Sequence, residues 1–169
     1  MGWSLSGINQ ASGEELKHEL INCCGSHKWV QSMIDERPYF DTEHLLFNAQ
    51  NIWSQLTPED WKEAFDHHPQ IGDLNSLKQK FASTARWAAN EQKGTLQSDE
   101  ETLIQLADFN QQYLDKFGYI FIICATGKSA EEMLQALKSR INNEEDQEIT
   151  IAAAEQAQIT QLRLQKLLI

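Results

Sequence analysis

The sequence predicts an all-α protein, a single-domain bundle of about eight helices with one short extended connector. Three observations predict it. Apolar residues recur at three- and four-residue spacing through most of the chain, the period of helices that bury one face. Helix start signals precede those stretches at Ser12, Asp41, Thr57-Pro58, Ser98 and Ser129. Only one segment, Tyr119-Ile120-Phe121-Ile122-Ile123-Cys124, has the β-branched and aromatic make-up of a strand, and no second such segment exists to pair with it.

Taken in order, the first expected helix starts at Ser12 or Gly13, turns Leu16, Leu20 and Ile21 to one side, and ends near Gly25. Trp29, Val30 and Met33 carry a second, short helix that stops before Pro38, and Asp41 caps a third bearing Leu45, Leu46, Ala49, Ile52 and Trp53. Thr57-Pro58-Glu59-Asp60 is a strong start: Thr caps, Pro takes the first helical position, and acids favour the positive helix end. That helix, with Trp61, Ala64 and Phe65, must stop at His67-His68, because the residue before Pro69 is driven out of the α region. Leu74 to Gln92 reads as helix, broken near Ser83, with Gly94 as its C-terminal cap and residues 92–99 as a mobile loop. Ser98 or Asp99 opens the next, with Leu103, Leu106, Ala107, Asn110 and Leu114 inward, ending near Gly118. After the connector, bracketed by Gly118 and Gly127, Ser129 opens Ala130 to Ile141. The last helix runs from about Asp146 to Leu168 on a stripe of Ile149, Ala152, Ala153, Ile159, Leu162 and Leu167. The unpaired connector leaves backbone N–H and C=O groups that need partners other than a sheet, and a bound polar ligand could be one.

Composition narrows the function classes. The 169 residues suit one domain, and 41% hydrophobic with 23% charged residues is ordinary globular composition. A net charge of −11 repels nucleic acid and anionic membrane, which need clustered Lys and Arg, so neither is an expected partner. An anionic small substrate would need a few cations to reverse that field locally. No run approaches the roughly 18 apolar residues of a membrane span. Met1 to Ser6 lack the basic start and apolar core of a secretory signal, and Gly2 with Ser6 matches a myristoylation pattern only superficially. Leu167-Leu168-Ile169 is no peroxisomal address, so the cytoplasm is the expected location. Three cysteines, Cys23, Cys24 and Cys124, fit a reducing compartment, and the vicinal pair lacks CxxC spacing, which favours structural thiols.

Three places could carry chemistry. His67-His68-Pro69-Gln70-Ile71-Gly72-Asp73 ends a helix in a turn, which sets side chains at the lip of a bundle. A His at a helix C-terminus has its protonated form favoured by the negative dipole end, which suits a proton donor near neutral pH. On spacing alone, solvated loop residues are the simpler reading, and metal ligation by His67, His68 and Asp73 is weaker still, since adjacent histidines rarely bind one ion. In Trp87-Ala88-Ala89-Asn90-Glu91-Gln92, Glu91 falls in the last turn of its expected helix, where the dipole disfavours a carboxylate; it is either a functional Glu or a surface one. Arg163, four residues after Ile159, sits at the border of the last helix's apolar face, where an Arg either snorkels or binds a carboxylate.

Together these motifs resemble the 2-oxo-4-hydroxy-4-carboxy-5-ureidoimidazoline (OHCU) decarboxylase family, which performs the last step from urate to S-allantoin. The resemblance covers most of the chain: the Phe40-to-Asn48 helix start, His-Pro-x-Ile-Gly-Asp at His68 to Asp73, Glu-Gln-x-Gly at Glu91 to Gly94, the run from Lys116 to Ala125, and Leu162-Arg163-Leu164. It departs at Ala88, where the family often has Ser, and in the extra histidine, His67. The resemblance implies one OHCU decarboxylase-like domain over residues 1–169, an all-α homodimer working on a small-molecule substrate without metal or organic cofactor. It further implies His68 and Glu91 as catalytic residues and Pro69 as a substrate-binding residue. Gln92 would bond polar groups of the ring or ureido arm, Arg163 would hold an anionic or carbonyl part of the substrate, and backbone at Gly118, Tyr119, Ile120, Phe121, Ile122 and Ile123 would line the pocket. Two other readings stay open at this point. One is a non-catalytic helical interaction module, in which His68, Glu91 and Arg163 would not converge. The other is a metal-dependent hydrolase using His67, His68 and Asp73.

Overall fold

The computed structural model describes residues 2–69 and 93–169, with side chains from residue 100 onward in the second stretch. Among the described residues there are eight helices and no strand, so the all-α expectation holds. The expected helix over Leu74 to Gln92 lies outside the described residues. The helices are α1 (Leu5–Gln10), α2 (Gly13–Cys23), α3 (His27–Asp35), α4 (Thr42–Ser54), α5 (Pro58–Asp66), α6 (Lys93–Phe117), α7 (Ala130–Arg140) and α8 (Glu145–Leu167). No helix among the described residues is long and apolar enough to cross a membrane.

The starts follow the capping chemistry. Ser12 and Thr57 each form a capping box with the acid three residues on, Glu15 and Asp60, and Asp41 and Ser129 cap α4 and α7. Two expectations need correction. The helix expected to open at Ser98 or Asp99 begins at Lys93, so Gly94 is inside it and ends no helix, and residues 93–99 are helical rather than a loop. One glycine inside a helix costs only about 1 kcal/mol, and no proline interrupts Lys93–Phe117. The short α1 was not expected: it is six residues long, capped by Ser4 at 3.0 Å, and Arg37 gathers the carbonyls of Ile8 and Ala11 at its end.

The chain divides into two compact units, residues 1–68 with 149–169, and residues 69–148. In the first, three indole N–H groups tie helices together through main-chain carbonyls. Trp29 of α3 donates to Ala49 O at 3.0 Å, Trp53 of α4 to Ala153 O at 2.9 Å, and Trp61 of α5 to Trp53 O at 3.0 Å. Leu16, Trp29, Val30 and Phe65 are wholly buried between them. The two chain ends pair: Trp3 N donates to Leu167 O, and Ile169 N to Trp3 O.

The buried stripe of α8 differs from the expected one. Ile159, Leu162 and Leu167 are only half-buried, and the line of burial runs Ala152, Ala153, Gln156, Thr160, Leu164. Two polar side chains sit at its centre. Burying them is tolerable because both are bonded, as described below.

In the second unit Leu106, Tyr113, Leu137 and Met133 of α6 and α7 form the core. The segment after α6, residues 118–125, is neither helix nor strand. Gly118 and Gly127 bracket it with φ of 80° and 77°, the left-handed conformation that a side chain resists. Tyr119, Ile122 and Cys124 point inward and are buried.

Candidate active site

α5 stops where the proline requires. His67 is its C-cap, and His68 N still reaches Phe65 O at 3.1 Å before the chain leaves the helix at Pro69. The two histidines are engaged differently. His67 lies on the backbone of Gly25, so closely that a Cβ at Gly25 would fall 2.2 Å from the His67 Cβ. His68 is half-buried, and its Nε2 lies 2.5 Å from Gln156 Oε1. Gln156 in turn donates from Nε2 to Thr160 Oγ1 at 3.0 Å, and Thr160 Oγ1 donates to Cys23 O at 3.4 Å. Asp73, the third member of the metal reading, lies outside the described residues.

Gln156, Thr160 and Arg163 are at i, i+4 and i+7 of α8 and share one face. That face meets the C-terminal end of α2. Arg163 Nη1 donates to Asn22 O at 3.2 Å, while Thr160 serves Cys23 O, so α8 side chains satisfy two carbonyls that α2 itself cannot. His68 and Arg163 are therefore both anchored on the same face of α8, at positions about 10 Å apart along its axis. The thiols beside them are buried. Burial pushes Cys23 up to about 11 against a partly opposing Arg163, and burial likewise pushes Cys24 up to about 12.

Pro69 is exposed and begins the second unit. Glu91 and Gln92 lie outside the described residues, as do Gln70 to Gly72 and Ala88. Gly118 to Ile123 belong to the second unit, where part of the connector's backbone finds partners in side chains of that unit. Ile122 O accepts from Arg140 Nη1 at 2.8 Å, and Cys124 O accepts from Lys128 Nζ at 2.9 Å. The Arg140 guanidinium also lies 4.4 Å from the centre of the Phe121 ring.

Arg140 itself is held by a buried carboxylate. Glu148 Oε1 accepts from Arg140 Nε at 2.8 Å and from the Tyr113 hydroxyl at 2.5 Å and forms an ion pair with Arg140 Nη2 at 2.6 Å, and its Oε2 accepts from Asn143 Nδ2 at 3.0 Å. Burial, then the bond and charge of Glu148, push the Tyr113 hydroxyl well above its usual range, so it stays a donor. Sequence reasoning missed Arg140 and Glu148. The signal was an Arg in phase with Met133 and Leu137 on α7, and a Glu four residues before Ala152 on α8. It also missed Gln156 and Thr160, whose spacing places them in line with Ala152 and Leu164. An open groove beside Phe109, Lys116 and Lys138 contains none of the expected site residues.

Residues 9–165 match the OHCU decarboxylase family profile. A protein of Arabidopsis thaliana, the uric acid degradation bifunctional protein TTL, is 41% identical over 146 residues, 86% of this chain. This chain spans 45% of that relative's length. The 2-oxo-4-hydroxy-4-carboxy-5-ureidoimidazoline decarboxylase of Amia calva is 33% identical over 95% of this chain and 92% of its own. A crystal structure of OHCU decarboxylase in the presence of (S)-allantoin superposes with a TM-score of 0.68 at 38% identity, covering 88% of this chain and 96% of that one. The chain belongs to the OHCU decarboxylase family.

Proposed function

We propose that this chain decarboxylates OHCU to S-allantoin, without a cofactor, as the closing step of urate breakdown. Family membership and the relatives' named activity support the substrate class. The observation that carries the role of His68 is its position: a half-buried imidazole at the C-terminal end of α5, fixed through Gln156 to the face of α8 that also bears Arg163.

The substrate is its own electron sink. The carbon that loses CO₂ bears a hydroxyl and adjoins a C=N group, so electrons released from the C–C bond flow into that conjugated system. The protein has three tasks: to hold the carboxylate out of the ring plane, to stabilise the enol-like intermediate, and to deliver one proton to one face. Arg163 takes an anionic or carbonyl end of the substrate, meeting the need for a local cation in a chain of charge −11. His68 handles the hydroxyl proton and then protonates carbon from one side. Glu91 holds and polarises His68, Gln92 bonds the ring or ureido groups, and Pro69 with the backbone of Gly118 to Ile123 lines the pocket.

In this reading residues 1–169 act as one domain, in the cytoplasm, as a homodimer. The test generates the unstable substrate in situ from urate and follows the product by circular dichroism. Rapid appearance of optically active S-allantoin supports the reading, and racemic allantoin at the background rate overturns it. Sedimentation of the same preparation checks the dimer.

A further inference from the structure

We infer that Gln156 is a positioning residue that fixes the tautomer of His68, so that Nε2 carries the anchored hydrogen and Nδ1 is the nitrogen that exchanges the catalytic proton. This deepens the reading of His68 given above and rests on it.

The inference comes from the direction of a hydrogen-bond chain. The chain ends at Cys23 O, which only accepts. Thr160 has one hydroxyl hydrogen and turns it toward the end of α2, where Cys23 O at 3.4 Å and the Cys24 thiol both take it, so toward Gln156 its oxygen is an acceptor. Gln156 must then present its NH₂ to Thr160, as it does at 3.0 Å, and this turns its carbonyl oxygen toward His68. A carbonyl oxygen 2.5 Å from an imidazole nitrogen requires a hydrogen on that nitrogen. Turning the Gln156 amide over would set NH₂ against Nε2 and leave Cys23 O without the Thr160 hydroxyl. That lost bond would lie among buried groups: Gln156 is 0% exposed, and Thr160 and Cys23 are each 4% exposed. The arrangement is thus locked at its far end by backbone, 137 residues from Thr160 in sequence.

The consequence concerns which edge of the ring reacts. When His68 is neutral, the lone pair sits on Nδ1, and when it is protonated, Nδ1 receives the proton. Proton exchange with substrate therefore runs through Nδ1, while Nε2–H holds the ring plane still. A ring in the other tautomer would offer the substrate a donor where an acceptor is needed.

The test uses the full-length ¹⁵N-labelled protein at a pH where the ring is neutral. Long-range ¹H–¹⁵N correlation separates protonated from lone-pair ring nitrogens, and the spectrum of His68→Asn assigns the His68 signals among the five histidines. The expected wild-type result is protonated Nε2 and lone-pair Nδ1, and a lone-pair Nε2 overturns the inference. Gln156→Leu removes the acceptor and should give mixed tautomers with kcat down about 100-fold and KM little changed. Thr160→Val, close in volume, keeps the fold should Gln156→Leu lose it; it frees the amide and should mix the tautomers with kcat down about tenfold. A merely structural role would lower Tm without mixing the tautomers, and either variant retaining a pure wild-type tautomer and kcat overturns the inference. The tautomer is read without substrate. A wild-type spectrum as expected beside racemic background product would sink the decarboxylase reading alone, and active enzyme with the opposite tautomer would sink this inference alone.

Discussion

His68 and Gln156, 88 residues apart in sequence, meet with Nε2 2.5 Å from Oε1, so the helix end that carries the expected catalytic histidine is fastened to the middle of α8. The same face of α8 bears Arg163 three residues beyond Thr160. One helix thereby sets the positions of the two proposed site residues of the first unit, His68 and Arg163. Disturbances at this junction should show in activity before they show in the fold.

Gly25 is the nearest such disturbance. A Cβ there would press into the Cβ and Cγ of His67, atoms too close to the backbone to swing away. Gly25→Ala should cost about 1–3 kcal/mol of stability and shift the His67-His68 turn. Thermal unfolding checks the first effect. A fall in kcat larger than any fall in the folded fraction at the assay temperature checks the second.

Arg163 is proposed to hold the substrate while it also bonds Asn22 O from a half-exposed position. Arg163→Lys keeps the charge and loses the planar fork. The expected result is KM raised about tenfold or more, the equivalent of about 1.4 kcal/mol, with unfolding free energy changed by less than about 1 kcal/mol. Steady-state kinetics on in situ substrate and a urea titration read the two separately.

The Arg140–Glu148 pair is buried at 9% and 0% side-chain exposure, and Arg140 also holds the connector at Ile122 O. Arg140→Met should lose about 3–5 kcal/mol, because Glu148 is left buried without its cation. Combining it with Glu148→Met should cost less than the sum of the two single changes, which a double-mutant cycle measures.

The cysteines give a pH dependence with a definite sign. Their ordinary value is 9.0, and burial holds Cys23 near 11 and Cys24 near 12 in the folded chain, so the unfolded chain releases these protons first. The stability they contribute is fully present below pH 9.0 and drains away as pH rises from there through 11 to 12. Urea midpoints should fall across that window, and Cys23→Ser/Cys24→Ser should flatten the fall. Near neutral pH, iodoacetamide should leave both thiols of the native protein unmodified and should alkylate them once urea is added.

Much of this fold was legible in the sequence because helix starts are local chemistry. Ser12, Asp41, Thr57 and Ser129 cap the helices they were expected to cap, and Pro69 ends α5 by sterics that need no tertiary information. The connector was legible because a lone apolar β-branched run has no partner. The start of α6 was not, since Gly94 reads equally as the end of one helix or the first turn of the next. α1 was missed because its order comes from Arg37, 26 residues beyond Ala11, and from the pairing of Trp3 with Leu168. At the site, His68 and Arg163 could be singled out by position and by family motif. Gln156, Thr160, Arg140 and Glu148 could not, because a polar residue in line with a buried stripe shows its purpose only when its partner is known, and each partner here lies on another element or a turn away.

The most direct measurement of the central claim compares the wild-type chain with His68→Asn on OHCU generated in situ from urate, following CO₂ release and the circular dichroism of the allantoin together. The account predicts fast, optically active S-allantoin from the wild type, and from His68→Asn a rate lower by about 100-fold or more with loss of optical activity as the background reaction takes over. Near-normal release of CO₂ with S-allantoin from His68→Asn would contradict it.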